Sequence, residues 1–339
     1  MRNETRQLYN NFLSRIAELN GVENVSQKFN VSPAIEQSLL EKVQESSPFL
    51  TAINNITVDA QEGEKVFIGV NSTIAGRTDT SNGETERKTR DIKNLTNDKY
   101  RAEQTNYDTH LRYATLDAWR HKPDFQVILR NAISKQIARD RLMIGFNGES
   151  VAATTDRSSH PLLQDVNKGW LKHIQEKKTK AVLNGAKIGN IAGNDYANID
   201  AAVFDCIHEL IEPWHRDSDL VVICGSQLLA DKYFSLLNSN ELPTERQALQ
   251  GLMTSLNLGG KPTITVPFFP KDAILITPLN NLSIYTQAGT TRMMYADNPK
   301  LDRIEEYRSI NEAYVVEDYD ACCLLTGIKT PNAERNAFE

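Results

Sequence analysis

Only four cysteines occur in the 339 residues, Cys206, Cys224, Cys322 and Cys323. They are too few and too scattered for a disulfide framework or a zinc ribbon. Cys322 and Cys323 are neighbours, so in an extended strand their side chains point to opposite faces and cannot jointly chelate or easily pair. Small buried apolar residues are the commoner meaning of such cysteines. No apolar run approaches the roughly 20 residues that a membrane helix needs, so no membrane partner is expected. The opening MRNETRQLYNNF lacks the apolar stretch of a secretory signal. Positive charge is not in excess either. Thirty-eight Lys and Arg face 44 Asp and Glu, a formal net charge of −6. The best basic clusters, Arg87-Lys88-Thr89-Arg90 and Lys177-Lys178-Thr179-Lys180, are diluted by Glu84, Glu86, Asp91 and Glu176. Solvated surface accounts for both, and a tight duplex-binding module would need more.

Motifs of common chemistry are also missing. There is no G-x-x-x-x-G-K-[ST] phosphate loop, no G-x-G-x-x-G and no G-x-S-x-G elbow. Gly185, Gly189 and Gly193 recur at four-residue spacing, but in a polar stretch rather than after a strand. Ser226 follows Gly225 at a strand-to-helix turn, where a helix cap is far commoner than a nucleophile. The sharpest catalytic lookalike is His208-Glu209-Leu210-Ile211-Glu212, one residue short of a zinc-protease H-E-x-x-H, with His215 beyond. Residues 208 and 212 share a helix face, but Asp205 lies there too and Pro213 breaks the helix before His215. The solvated acidic face of an amphipathic helix explains the pattern. A metal-dependent hydrolase centred on 199–238 is therefore only an alternative, and no catalytic, cofactor or metal residue is assigned.

What is present is ordinary globular composition, 40% hydrophobic and 24% charged, in a chain long enough for about two domains. Leu8, Phe12, Leu13, Ile16 and Leu19 recur at helical steps before Asn20-Gly21, a helix stop. Ser32-Pro33 opens a second helix through Ile35, Leu39, Leu40 and Val43, ended at Ser46-Ser47-Pro48. Alternation predicts strands at 64–70 and 107–113. Between them runs the polar STIAGRTDTSNGETERKTRDIKNLTNDK, with a tight-turn signal at Asn82-Gly83. An insert this long is disordered or built to reach a partner. The longest helix opens at Pro123-Asp124 with an apolar stripe of Phe125, Ile128, Leu129, Ala132, Ile133, Ile137 and Leu142. Residues 150–198 read as irregular. From 199 helix and strand alternate: a helix to Leu210, a buried strand 219–224, a helix from 226 through Tyr233 and Leu237, and strands at 262–266, 273–277 and 281–285. The tail carries four strand-like blocks, TRMMYA, LDRIEEYR, EAYVVED and ACCLL.

The blocks NETRQLYNNFLSRIAELNGV, QESSPFLTAIN, TDRSSHPLLQDVNKGWL, LIEPWHRDSDLVVICGSQLLADKYF, NNLSIY and NPKLDRIEEYRSINEAYVVEDYDACCL resemble, in the same order, the major capsid proteins of peduovirus-type (P2-like) tailed phages. The resemblance covers the chain from its start to about residue 328. It implies an α+β chain of the Hong Kong 97-type capsid fold and a structural role, self-assembly into an icosahedral head around double-stranded DNA. Under it, 1–30 would be an assembly or scaffold-like segment, 31–60 an N-terminal arm and 61–116 an extended loop hairpin. The peripheral domain would be 117–198 with 291–328, including a spine helix at 124–146. The axial domain would be 199–290, and 329–339 a frayed tail. The loop residues Asp79, Asn82, Gly83, Arg87 and Lys88 would reach a neighbouring subunit. A prohead protease would cut at the unpatterned stretch around Phe29 and Asn30, discarding a helix whose apolar stripe is covered by scaffold or by other copies. Implied partners are further copies of the chain, scaffold and protease, a portal, and DNA held without sequence-specific binding. The implied location is the virion, with host cytoplasm during assembly; no cofactor and no enzymatic activity are implied.

Overall fold

The computed structural model describes residues 1–65, 75–81, 86–89, 98–119, 125–229, 257–331 and 337–338. Helix α1 (Asn3–Asn20) ends at Gly21, whose φ of 63° is the left-handed conformation that glycine adopts without a Cβ penalty. The two-residue strand β1 (Phe29–Asn30) and helix α2 (Pro33–Glu45) follow, then the short α3 (Pro48–Ala52). Glu36 of α2 is buried and accepts the backbone N–H groups of Gly289 and Thr291, which fixes this arm to a later turn.

Strands β2 (Asn54–Val58) and β3 (Glu62–Glu64) lead into the long insert, and β4 (Lys99–Arg101), β5 (Glu103–Asn106) and β6 (Thr109–Arg112) lead out of it. β3 pairs with β4, so the insert leaves and returns at one place. Residues 66–70 of the strand expected at 64–70 lie outside the described residues. The strand expected at 107–113 is shorter. Asp108 takes the Arg308 amide on its side chain, Tyr107 turns into the core, and Tyr113 already opens α4 (Tyr113–Trp119).

The 23-residue α5 (Phe125–Asn147) is the expected long helix. Its stripe is buried only from Ser134 onward; Val127 and Ile128 are more than half exposed. Helix α6 (Trp170–Lys177) and β7 (Val182–Asn184) occupy the stretch that periodicity leaves irregular. Then come α7 (Ile199–Glu209), capped by the Asn198 side chain, and β8 (Leu220–Cys224). Residues 226–229 begin the next helix, and Tyr233 and Leu237 lie outside the described residues. The remaining strands are β9 (Asn257–Leu258), β10 (Lys261–Ile264), β11 (Ile274–Pro278), β12 (Leu282–Gln287), β13 (Arg292–Asn298), β14 (Arg303–Val316) and β15 (Cys323–Thr326). LDRIEEYR and EAYVVED are one strand, β14, because the intervening Ser309-Ile310-Asn311, which lacks Gly and Pro, pairs in register with Asn106, Thr105 and Gln104 of β5.

Two sheets organise the chain. In the first, β14 is the spine: β13 and β6 flank its first half, and β5 and β12 flank its second, with β1 beyond β13 and β2 beyond β12. The second has the order β7-β15-β11-β8-β10-β9. Successive residues of β8, β11 and β15 enter different cores. Ile223, Leu275 and Leu324 join Trp170 and Phe146 on one face, while Val222, Ile274, Ile276 and Leu325 join Val203 and Cys206 of α7 on the other. A strand buried on both faces needs a continuous apolar run, which is why LVVIC and CCLL lack alternation. Cys322 and Cys323 fall on opposite sides of this sheet as unpaired thiols.

The divisions at 198/199 and 290/291 do not follow the sheets. β12 belongs to the β14 sheet, whereas β7 and β15 belong with β8 and β11. The tail beyond 328 is also partly held: Lys329 bridges to Lys187 and Pro331 to Phe338. Residues 332–336 and 339 lie outside the described set.

Candidate assembly interface

The start of α1 carries Arg2, the residue just before the helix, and Arg6, and both land on carboxylates. The Arg2 amide donates to Asp117 of α4, and the Arg6 guanidinium pairs with Asp297 of β13, which also accepts the Tyr113 hydroxyl. Partial burial opposes ionisation of Asp297, but Tyr113 and Arg6 outweigh it and hold the carboxyl below its ordinary range. Further along α1, Phe12 meets Tyr295 edge-on with centroids 5.6 Å apart, and Leu13 and Ile16 pack with Met293, Ile35 and Leu39. The inner half of the stripe is therefore covered by its own chain. The expectation that scaffold or other copies cover the whole stripe needs that correction: what stays open is Leu8, 48% exposed, and Leu19, 42% exposed. Leu8 overlooks a groove of about 310 Å³ between α1, α4 and α5, floored by Leu129, Ile133, Tyr295 and Ile304 and rimmed by Trp119 and Arg130.

Because Asp297 is depressed in the folded chain, its stabilising contribution is present above the unfolded carboxyl value of about 3.9 and is lost as pH falls through the folded one. Docking of α1 should accordingly loosen below about pH 4. At neutral pH, Asp297→Asn should speed tryptic cleavage at the exposed Lys28 roughly two- to fivefold, the range for a solvent-screened pair. An unchanged cleavage rate would show that the ion pair does not hold the helix.

Phe29 and Asn30 form β1, paired with Met293 and Arg292. Phe29 is buried, whereas Gly21, Glu23, Asn24 and Ser26–Lys28 are exposed. Of the loop residues, Asp79 accepts the Ser81 amide and hydroxyl, and Arg87 and Lys88 are exposed; Asn82 and Gly83 lie outside the described residues. Among the described loop residues, Asp79, Arg87 and Lys88 share no hydrogen bond or ion pair.

The strongest polar feature was not legible as a motif. Arg141 of α5 and Glu312 of β14 are both buried. The Arg141 Nε donates to Glu312 Oε1 at 3.0 Å and the Tyr107 hydroxyl to Oε2 at 3.0 Å. Burial works against the Arg141 charge, but Glu312 overrides it and keeps the guanidinium protonated. This network joins the long helix to the strand on which β5 and β12 converge. A second set closes the base of the insert. Asp98 pairs with Lys65 and Lys177, and the Lys65 Nζ lies 4.0 Å from the Tyr319 ring centroid. Lys178 pairs with Asp320. Much of the 177–180 basic cluster is thus committed to ion pairs.

The zinc-like residues do not converge. His208 Nδ1 lies 2.8 Å from the Phe204 carbonyl oxygen, while His215 Nε2 lies 3.3 Å from Asp318 and Glu212 is exposed. Among the described residues no group of three or more metal-ligating side chains occurs. Burial pushes the Cys206 and Cys322 thiols up to about 12 and the His173 imidazole down to about 4. The thiols are therefore unreactive at neutral pH and His173 is uncharged.

The profile of the P2 family of phage major capsid proteins matches residues 8–328. The chain is 46% identical to the capsid proteins of Escherichia phage P2, covering 97% of this chain and 96% of that one. It is 38% identical to the major capsid protein of Serratia phage KSP20, with 97% of each covered. A chain in the structure of the satellite phage P4 procapsid including the size determination (Sid) protein superposes with a TM-score of 0.81 at 44% identity, covering 97% of this chain and 99% of that one.

Proposed function

Because the chain belongs to the P2 family of phage major capsid proteins, whose copies form the shell of a phage head, we propose that its N-terminal segment is a detachable cover removed after the shell has formed. The α+β capsid architecture and the homo-oligomeric shell are common ground with the relatives. The observation that carries the proposal is the way residues 1–31 are attached: a few ion pairs, a two-residue strand and one apolar cluster in which Phe12, Leu13 and Ile16 of α1 meet Met293 and Tyr295, ahead of an arm anchored by the buried Glu36, Val43, Phe49 and Leu50. Proteases take their substrates extended and unpaired, so cutting at Phe29–Asn30 requires β1 to leave the β13 edge first. Release of α1 and β1 thereby gates the cleavage. A prohead protease is the partner this step needs, and scaffold is proposed to meet the open Leu8–Trp119 side of the groove.

Mass spectrometry of mature particles should find a first residue close to Asn30 and no peptide from Met1–Asn20. Those peptides at full stoichiometry would overturn the proposal. The packing also supports an insert that reaches a neighbour, since β3 and β4 hold both of its ends at one point. Enclosed double-stranded DNA would meet a lining without strong phosphate-gripping clusters, given the net charge of −6 and the paired Lys177 and Lys178. A portal at one vertex completes the proposed set of partners.

A further inference from the structure

Glu36 is buried, with 6% of its surface exposed, yet among the described residues its carboxylate meets no cation. It takes two backbone amides instead, Oε2 from Gly289 at 3.0 Å and Oε1 from Thr291 at 3.1 Å. The same Thr291, 4% exposed, carries a buried hydroxyl without a hydrogen-bond partner. A buried charge is costly unless it is paired, and buried hydroxyls are as a rule satisfied. Two polar groups at one place are therefore short of a partner that could supply positive charge and several donors.

These groups sit beside the proposed cut. The Val31 amide donates to the Thr291 carbonyl oxygen at 2.9 Å, so Val31 and Glu36 grip the two ends of one residue. Hydrolysis breaks the C–N bond between Phe29 and Asn30. The water oxygen leaves Phe29 as a carboxylate, and both water hydrogens go to the Asn30 nitrogen, which becomes an ammonium. That nitrogen is one residue, at most about 3.6 Å, from the Val31 nitrogen. Before the cut the discarded segment pins this stretch, because Asn20 Oδ1 accepts the Ser32 amide at 3.1 Å. Once that segment has left, Asn30 is a free end able to turn. Unpaired, its ammonium would face Arg292, opposite Asn30 in register, and the positive end of α2. Glu36, in the first turn of α2, is the anion that answers both.

We propose that Glu36, beside the Thr291 hydroxyl, is the receptor for the ammonium group that processing creates on Asn30. The inference rests on the cleavage reading and adds to it what the new end of the chain does. The cut exchanges the α1 cover for an internal ion pair, which locks the α2 arm to the turn at Gly289–Thr291.

The test uses processed particles made by the full chain with its assembly partners, pulse-labelled with acetic anhydride at a series of pH values and read by mass spectrometry. An amine reacts only when unprotonated, and an ordinary α-amino group titrates at about 7.7–8.0. Pairing with a carboxylate favours the charged form. The Asn30 amine should therefore titrate about one unit or more higher and react about tenfold more slowly at pH 7. In Glu36→Gln particles its rate should rise about tenfold, to that of an ordinary terminus. The exposed Lys300 in the same particles should keep its rate, which shows that the variant is folded. An Asn30 amine that titrates at the ordinary value in unaltered particles would sink the proposal, whether or not the variant assembles. Equal Asn30 rates in unaltered and Glu36→Gln particles would do the same. If the particles kept their Met1–Asn20 peptides, no Asn30 amine would exist and the cleavage reading would fail first, so the two failures stay distinguishable.

Discussion

Replacing Glu312 by alanine should destabilise the unassembled chain by about 3–5 kcal/mol, because it strands the buried Arg141 charge without a partner. The Tyr107 hydroxyl loses its acceptor at the same time. A loss of this size is a large fraction of the total stability of a typical domain. Double replacement, Arg141→Met with Glu312→Leu, removes both charges and should recover most of that loss, since a well-packed apolar pair commonly substitutes for a buried ion pair. Denaturant unfolding of the three chains checks the expectation. If Glu312→Ala melted within about 1 kcal/mol of the parent, the pair would be solvated in solution. Assembly should suffer along with stability, because Glu312 lies where β5, returning from the insert, and β12 both pair with β14.

Trp170→Ala should cost about 3–5 kcal/mol. The indole is fully buried, packs edge-on against Phe146 and Tyr314, and donates Nε1–H to the Ser283 carbonyl at 3.0 Å. Its ring lies so close to Gly145 that a Cβ there would come within 2.2 Å of it. Gly145→Ala should therefore destabilise by about 1–3 kcal/mol despite the better helix propensity of alanine. The two changes should not add. With Trp170 already truncated, alanine at 145 meets no ring, so a double-mutant cycle should return a coupling of about 1 kcal/mol or more. Strict additivity would mean that the helix shifts away from the ring at little cost.

Strong local periodicity made much of the fold legible. α1, α2, α5 and α7 begin and end near their Gly, Ser-Pro and Pro signals, and the apolar runs of β8, β11 and β15 mark strands buried on both faces. Helix α6 escaped because it is only eight residues long, with its apolar side carried by Trp170, Leu171 and Ile174. The exposure of Val127 and Ile128 escaped as well: periodicity says which residues share a face, not what covers that face. Long-range pairing was the least legible. Arg141 ends the charged run Arg139-Asp140-Arg141, which by itself reads as a solvated stretch of α5, and its partner lies 171 positions away on β14. The cover that α1 finds on β13 is equally remote in sequence. In the candidate interface, the blocks carrying the resemblance pointed to shell formation, but not to the paired state of β1, on which the proposed cleavage depends.

Self-assembly is the central property of this chain. Electron microscopy of the purified full-length chain, produced with its assembly partners and then alone, tests this most directly. Closed shells are expected with the partners and at least ring-shaped capsomers without them. A monodisperse monomer of 38.1 kDa under both conditions would contradict it.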